Sequence, residues 1–245
     1  MSLQANKRQW DELGRLDPFW AMTGTNRFNG WNVDAFFQTG VEQVDRLIRQ
    51  IAPYERPQQW STILDFGCGV GRLARAFRRH FEQYAGIDIA ESLVFEARRL
   101  HTDLSQAHFI VSASATLPIA SNSCDMVYAW GVLQHVPDRT SALCYVDEFV
   151  RVMRPGGMLM FTTLNALLPL YRLQPRRRIY AILRTAGVSP EVLYRHLKLY
   201  PHEVHPLPGK EVVAQLNAAG AQILNICDES PPDAPHQWRT YYVTK

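Results

Sequence analysis

Cysteine is scarce and unpatterned. The four residues Cys68, Cys124, Cys144 and Cys227 form no Cys-x-x-Cys pair, which excludes a zinc ribbon and a disulfide framework. A reducing compartment fits that usage. Also missing is any apolar run approaching the roughly 18 residues of a membrane span. The polar start from Met1 to Asp11 lacks the apolar segment of a signal peptide, so a cytoplasmic protein with no membrane partner is expected. Charge of one sign is in small excess, net +3, too little to argue for nucleic acid from charge alone. Repeats and low-complexity tracts are absent, which removes solenoid and disordered readings. What is present is 245 residues, 47% hydrophobic and 20% charged, enough to bury a core unaided.

The informative signal is the order of periodicities. Phe37, Val41, Val44, Ile48 and Ile51 recur at helical spacing and predict an inward face between Asp34 and Ile51, which Pro53 and Pro57 end. Ser61 to Phe66 is then a strand, running into Gly67-Cys68-Gly69-Val70-Gly71 and a helix from Arg72 to Phe81. Tyr84 to Ile89 predicts a strand and Glu91 to Leu100 a helix; His108 to Val111 and Asp125 to Trp130 predict further strands. A helix from Ser141 to Met153, stopped by Pro155-Gly156-Gly157, precedes a strand from Met158 to Leu164. Helix Lys210 to Ala219, strand Gln222 to Cys227 and strand Trp238 to Thr244 close the chain. Strands alternating with helices imply right-handed crossovers, a mostly parallel sheet and a ligand site beyond the strands' carboxyl ends.

Gly67-x-Gly69-x-Gly71 after a buried strand lets the backbone turn sharply and approach a ligand, which implies a nucleotide-type cofactor. A dinucleotide fingerprint needs its third glycine at position 72, which is Arg72. Asp65, two residues before the loop, would repel a pyrophosphate and attract an ammonium. Asp88 ends the second strand, where a carboxylate can accept both ribose hydroxyls.

The run Ile63-Leu64-Asp65-Phe66-Gly67-Cys68-Gly69-Val70-Gly71-Arg72-Leu73, with Gly86-Ile87-Asp88-Ile89-Ala90, resembles the cofactor motifs of class I S-adenosylmethionine-dependent methyltransferases. Leu117-Pro118, Cys124-Asp125-Met126-Val127, Val132 to Asp138 and Arg151 to Gly157 follow in that family's order. The resemblance implies a doubly wound, Rossmann-like α/β fold with seven mostly parallel strands, the last antiparallel, plus helical lid segments. It implies S-adenosyl-L-methionine as cofactor, with S-adenosyl-L-homocysteine as product. Asp65, Gly67, Cys68 and Gly69 match the loop around the methionine part, with Arg72 beside it; Asp88 matches the ribose acid, and Ile89 would flank adenine. The family usually has an acid near Ala113, but here Ala113-Ser114-Ala115-Thr116 stands instead. Either Ser114, with Ala115 beside it, or a backbone carbonyl takes over, or affinity falls. Trp130 closes the pocket or belongs to the core. Arg27, in an aromatic N-terminal stretch with Trp31 and Phe37, is a candidate for the cofactor carboxylate.

Methyl transfer is an in-line displacement, so positioning dominates, and an oxygen or nitrogen acceptor benefits from a base. His135, after the fourth strand, is the first candidate, against a purely loop-fixing role. His202 and His205 are acceptor-side candidates; without a third ligand they give no metal site. The chain divides into an N-terminal helical lid (1–58), a cofactor-binding core (59–164), a substrate lid insert (165–208) and a closing helix and strands (209–245), all one methyltransferase domain. The insert carries seven Arg or Lys against two acids, net +5, and four tyrosines, Tyr171, Tyr180, Tyr194 and Tyr200. These suit an anionic or ring-bearing small-molecule acceptor, or else a solvated helix with Ile179, Ile182, Leu183 and Ala186 inward and a tyrosine core. Biosynthetic methylation of a small molecule is the expected function. A glycan or RNA acceptor, or a cofactor-binding regulator without catalysis, is the alternative.

Overall fold

The computed structural model describes residues 2–23, 28–168, 173–231 and 234–245. Three helices lead: α1 (Leu3–Leu16), α2 (Pro18–Thr23) and α3 (Val33–Ile51). The alternating core follows as β1 (Thr62–Phe66), α4 (Ala74–Phe77), β2 (Gln83–Asp88), α5 (Glu91–Leu100), β3 (Ala107–Val111), β4 (Cys124–Ala129), α6 (Arg139–Val152) and β5 (Met153–Leu167). Then come α7 (Pro175–Thr185), α8 (Pro190–Arg195), α9 (Gly209–Ala218), β6 (Gln222–Asp228) and β7 (His236–Thr244). The seven strands form one sheet in the order β3-β2-β1-β4-β5-β7-β6, with β7 antiparallel to both its neighbours. The reversal between β1 and β4 creates a crevice at the strands' carboxyl ends.

Strand period two explains why both faces are covered. Along β1, β4 and β5, Ile63, Met126 and Met158 enter one core with Val44, Leu47 and Phe77, while Leu64, Val127 and Leu159 enter the other with Phe149, Val212 and Leu216. A third core lies between the N-terminal helices and the 173–208 segment, built on Leu13, Trp20, Phe36, Leu193 and Tyr194.

Four expectations shift. The inward face of α3 is Phe36, Gly40, Val44, Leu47 and Ile51, one step from the predicted one, because Phe36 plugs the third core and Phe37 packs edge-on against His101 at its rim. The helix expected over Arg72 to Phe81 contracts to α4. Arg72 is held inward by α3 side chains, and the chain closes in turns from Arg79 N–H to Ala76 O and from His80 N–H to Phe77 O. In α7 the buried residue is Tyr180, and Ile179 and Ile182 turn outward, contrary to the predicted face. The strand expected at Met158 begins at Met153, with the Pro155-Gly156-Gly157 turn absorbed at a register shift against β4.

Gly40 is where α3 crosses the loop after β1. A Cβ there would overlap the Arg72 carbonyl, which is backbone and cannot rotate away. Gly to Ala normally stabilises a helix interior by about 1 kcal/mol. Gly40→Ala should instead destabilise by about 2 kcal/mol through overpacking, read as a lowered thermal midpoint.

Candidate active site

The crevice holds two adjoining cavities, of about 120 Å³ and about 490 Å³, that share Trp10, Met22, Gly67, Trp130 and His135 as walls. The smaller is bounded by Phe66, Asp88, Ile89, Ser112 and Tyr145, the larger by Asp65, Cys68, Arg72, Tyr128, Tyr200 and His202.

Asp88 organises the floor. Its Oδ2 accepts the Gly69 N–H at 2.8 Å and its Oδ1 the Ala90 N–H at 2.8 Å, so one carboxylate joins the glycine loop to the start of α5. Gly67 and Cys68 both donate N–H to the Ile87 carbonyl. Gly67 and Gly69 have φ of 78° and 53°, and Met22 from α2 lies directly on Gly69, where a Cβ would displace it. Burial raises the Asp88 carboxyl, an effect its two amide donors oppose.

The larger cavity contains a buried polar cluster. Asp65 accepts the Tyr84 hydroxyl at 2.7 Å, and burial, outweighing that bond and nearby Arg72, raises its carboxyl to about 7. Arg72 donates to Thr39 Oγ1 at 3.2 Å and Gln43 Oε1 at 2.5 Å, while Gln43 donates to the Tyr128 hydroxyl at 2.6 Å. The Arg72 Nε is buried with no hydrogen-bond partner among the described residues.

Opposite stands an aromatic wall. Trp10 stacks on His202 with centroids 4.2 Å apart and meets His135 edge-on at 5.2 Å. His135 Nδ1 lies 3.2 Å from the Glu203 carbonyl, so that nitrogen carries the proton and Nε2 is left as the acceptor. Both ring nitrogens of His202 are buried without partners among the described residues. Burial lowers His135 to about 4 and His202 to about 3, the latter also through His135, which keeps both neutral. His205 lines neither cavity; its ring meets Glu203 at 3.1 Å.

Other expected residues scatter. Ser114 is exposed, its hydroxyl accepting the Thr116 N–H, and neither it nor Ala115 lines a cavity; Ser112 does. Arg27 and Tyr171 lie outside the described residues. Tyr180 and Tyr194 are core, whereas Tyr200 reaches the larger cavity. Asn6, Trp10, Met22, Gln43 and Tyr128 carry no motif and escape sequence reading. Trp10 and Leu13 on the inner side of α1 were the one available signal, a helical spacing of apolar residues.

A doubly wound sheet with a glycine loop and two buried carboxylates, Asp65 and Asp88, at its switch point is the arrangement of a fold that binds ligands at its strands' carboxyl ends. A methyltransferase domain family model matches residues 64–161. An O-methyltransferase of Aspergillus nomiae is 29% identical over 75% of this chain and 74% of its own length. A ubiquinone biosynthesis O-methyltransferase of Hydrogenovibrio crunogenus is 30% identical over 58% of each chain, so this chain spans little more than half of that relative. Among solved structures, the magnesium protoporphyrin IX methyltransferase of Synechocystis with bound S-adenosylhomocysteine superposes with a TM-score of 0.64 over 99% of both chains at 16% identity, a likeness of fold. Residues 64–161 carry a methyltransferase domain, and the relatives and the fold together support a class I S-adenosylmethionine-dependent methyltransferase.

The residues present fit that cofactor. The glycine loop offers a side-chain-free cradle, Asp65 a buried carboxylate for a cation, and Asp88 spare lone pairs for hydroxyls. A cation beside Asp65 favours its ionised form, so binding should expel a proton below about 7. Calorimetry with S-adenosylmethionine should show affinity rising with pH up to about 7 and levelling above it, and Asp65→Asn should remove this dependence. The same raised value makes the ligand-free fold less stable as pH rises from 3.8 towards about 7, because the unfolded chain ionises this carboxyl in that range while the buried group keeps its proton.

Proposed function

We propose that the protein methylates a hydroxyl on a ring-bearing small molecule, with His135 as the general base and His202 as its partner at the acceptor. The observation carrying this reading is the pair of neutral, buried histidines against Trp10, across the larger cavity from the Asp65 and Arg72 cluster. The O-methyltransferase relatives favour oxygen over nitrogen. Trp10, Trp20 and Tyr200 give the acceptor flat apolar walls.

When bound, S-adenosylmethionine supplies an electrophilic methyl on a sulfonium. Gly67, Cys68 and Gly69 would hold its methionyl part, Asp65 its ammonium, and Arg72, whose Nε has no partner among the described residues, its carboxylate. Asp88 accepts the ribose hydroxyls, and Ile89, Ser112 and Tyr145 border the base. Trp130 closes the shared wall. The helix α1 and the 173–208 segment exclude water, acting as the two lids. His135 Nε2 would take the proton of the acceptor hydroxyl, its Nδ1–H steadied by the Glu203 carbonyl.

The test is turnover with hydroxylated aromatic acceptors, following S-adenosylhomocysteine release. His135→Gln should lower kcat by about a hundredfold or more while leaving cofactor affinity within a few-fold. Because burial holds His135 at about 4, kcat at saturating cofactor should stay flat as pH falls from neutrality and decline only near 4. The cofactor's kcat/KM should fall earlier, below about 7, as Asp65 protonates. An acid limb of kcat near the ordinary histidine value would assign the proton transfer elsewhere.

A further inference from the structure

The cations of the 173–208 segment line neither cavity, apart from their role in bracing, so the acceptor leaves them unexplained. Arg177 pairs with Glu203, Arg184 with Glu12 and Arg195 with Glu191. These pairs use both acids of the segment. Arg176, Arg178 and Lys198 have no ion-pair partner among the described residues. The outward side of α7 carries Arg178 together with Ile182 and Ile179, which are 66% and 47% exposed, and Leu173 just upstream is 51% exposed. A helix face turned to water is normally polar. Here the face is apolar and cationic together, with no unpaired acid of its own segment beside it.

We propose that this face docks on an anionic lipid surface, with Ile179, Ile182 and Leu173 entering the boundary between headgroups and acyl chains and Arg176 and Arg178 meeting lipid phosphates. That is the chemistry of an interfacial amphipathic helix, and it needs no membrane-crossing span; no helix among the described residues is long and apolar enough to make one. Charge complementarity selects this occupant. A second copy packed two-fold on the same face would set its unpaired arginines against each other. A nucleic acid would satisfy the arginines and leave the isoleucines in water. The inner side of the same segment contributes Tyr200 and His202 to the larger cavity, so a docked surface would lie behind the acceptor's wall. The inference does not rest on which atom is methylated.

The experiment is co-sedimentation of the full chain with vesicles of phosphatidylcholine alone and of phosphatidylcholine mixed with phosphatidylglycerol, at low and high salt. The wild type should partition onto the anionic vesicles, less so as salt rises. Arg176→Gln with Arg178→Gln should weaken partitioning roughly 30-fold, at about a factor of five per cation. Ile179→Ser with Ile182→Ser should weaken it about tenfold or more at unchanged charge. Both double variants should keep wild-type circular dichroism and S-adenosylhomocysteine binding, because none of the four side chains lines a cavity. No partitioning of the wild type, or partitioning equal in the variants, overturns the proposal. A solution dimer that Ile182→Ser dissociates, or RNA binding lost in the arginine variant without vesicle binding, assigns the face elsewhere and overturns it as well. Loss of S-adenosylhomocysteine binding by the wild type would instead count against the cofactor assignment alone.

Discussion

The Asp88 carboxylate is the joint on which the site depends. Its two oxygens hold the amides of Gly69 and Ala90, which belong to the turn after β1 and to the entry of α5. Charge-assisted bonds to backbone amides are about twice as strong as neutral ones, and burial strengthens them further. The glycine loop therefore has a fixed shape before any ligand arrives. Because the loop's left-handed residues are glycines, that shape costs little backbone strain.

Around this joint the protein tolerates a costly arrangement. Asp65, Arg72, Tyr84 and Tyr128 share a buried volume in which ionising Asp65 is disfavoured until about 7. A core selected for stability alone would be better served by apolar residues of similar volume. The arrangement makes sense as a site for a ligand carrying both charges, whose cation completes Asp65 and whose anion completes Arg72. Gly40 permits it, since only a residue without Cβ lets α3 approach closely enough for Thr39 and Gln43 to hold the guanidinium.

The N-terminal helix converts an open crevice into an enclosed one. Asp11 of α1 accepts the Ser92 N–H at the start of α5, Asn6 donates to the His135 carbonyl, and Trp10 stacks on His202. Elements far apart in the chain thus meet over the cofactor loop. Burial against this aromatic wall keeps the two histidines neutral. The same burial makes both rings costly to charge, so they remain neutral imidazoles at neutral pH.

The alternation of strands and helices, the glycine loop and the two acids beside it were legible in the sequence because each depends on local rules: period two in buried strands, glycine where φ is positive, carboxylates at strand ends. Glu91 to Leu100 was read to its termini for the same reason, an amphipathic spacing between clear boundaries. Long-range packing was not legible. Nothing in the sequence says that Phe36, rather than Phe37, fills the third core, since both fit a helical stripe and only the position of Trp20 and Trp31 selects between them. Ile179 and Ile182 read as an inner face because apolar periodicity marks a stripe without saying what covers it. Likewise Ser112 rather than Ser114 borders the smaller cavity, because the turn after β3 sends the Ser114 side chain into solvent. The sequence by itself determined the strands, the glycine loop and the places of Asp65 and Asp88, whose constraints act between near neighbours. Only the tertiary structure decided which histidines meet, what Trp10 and Met22 do and which face of α7 is left to solvent, because those depend on contacts between segments that lie far apart along the chain.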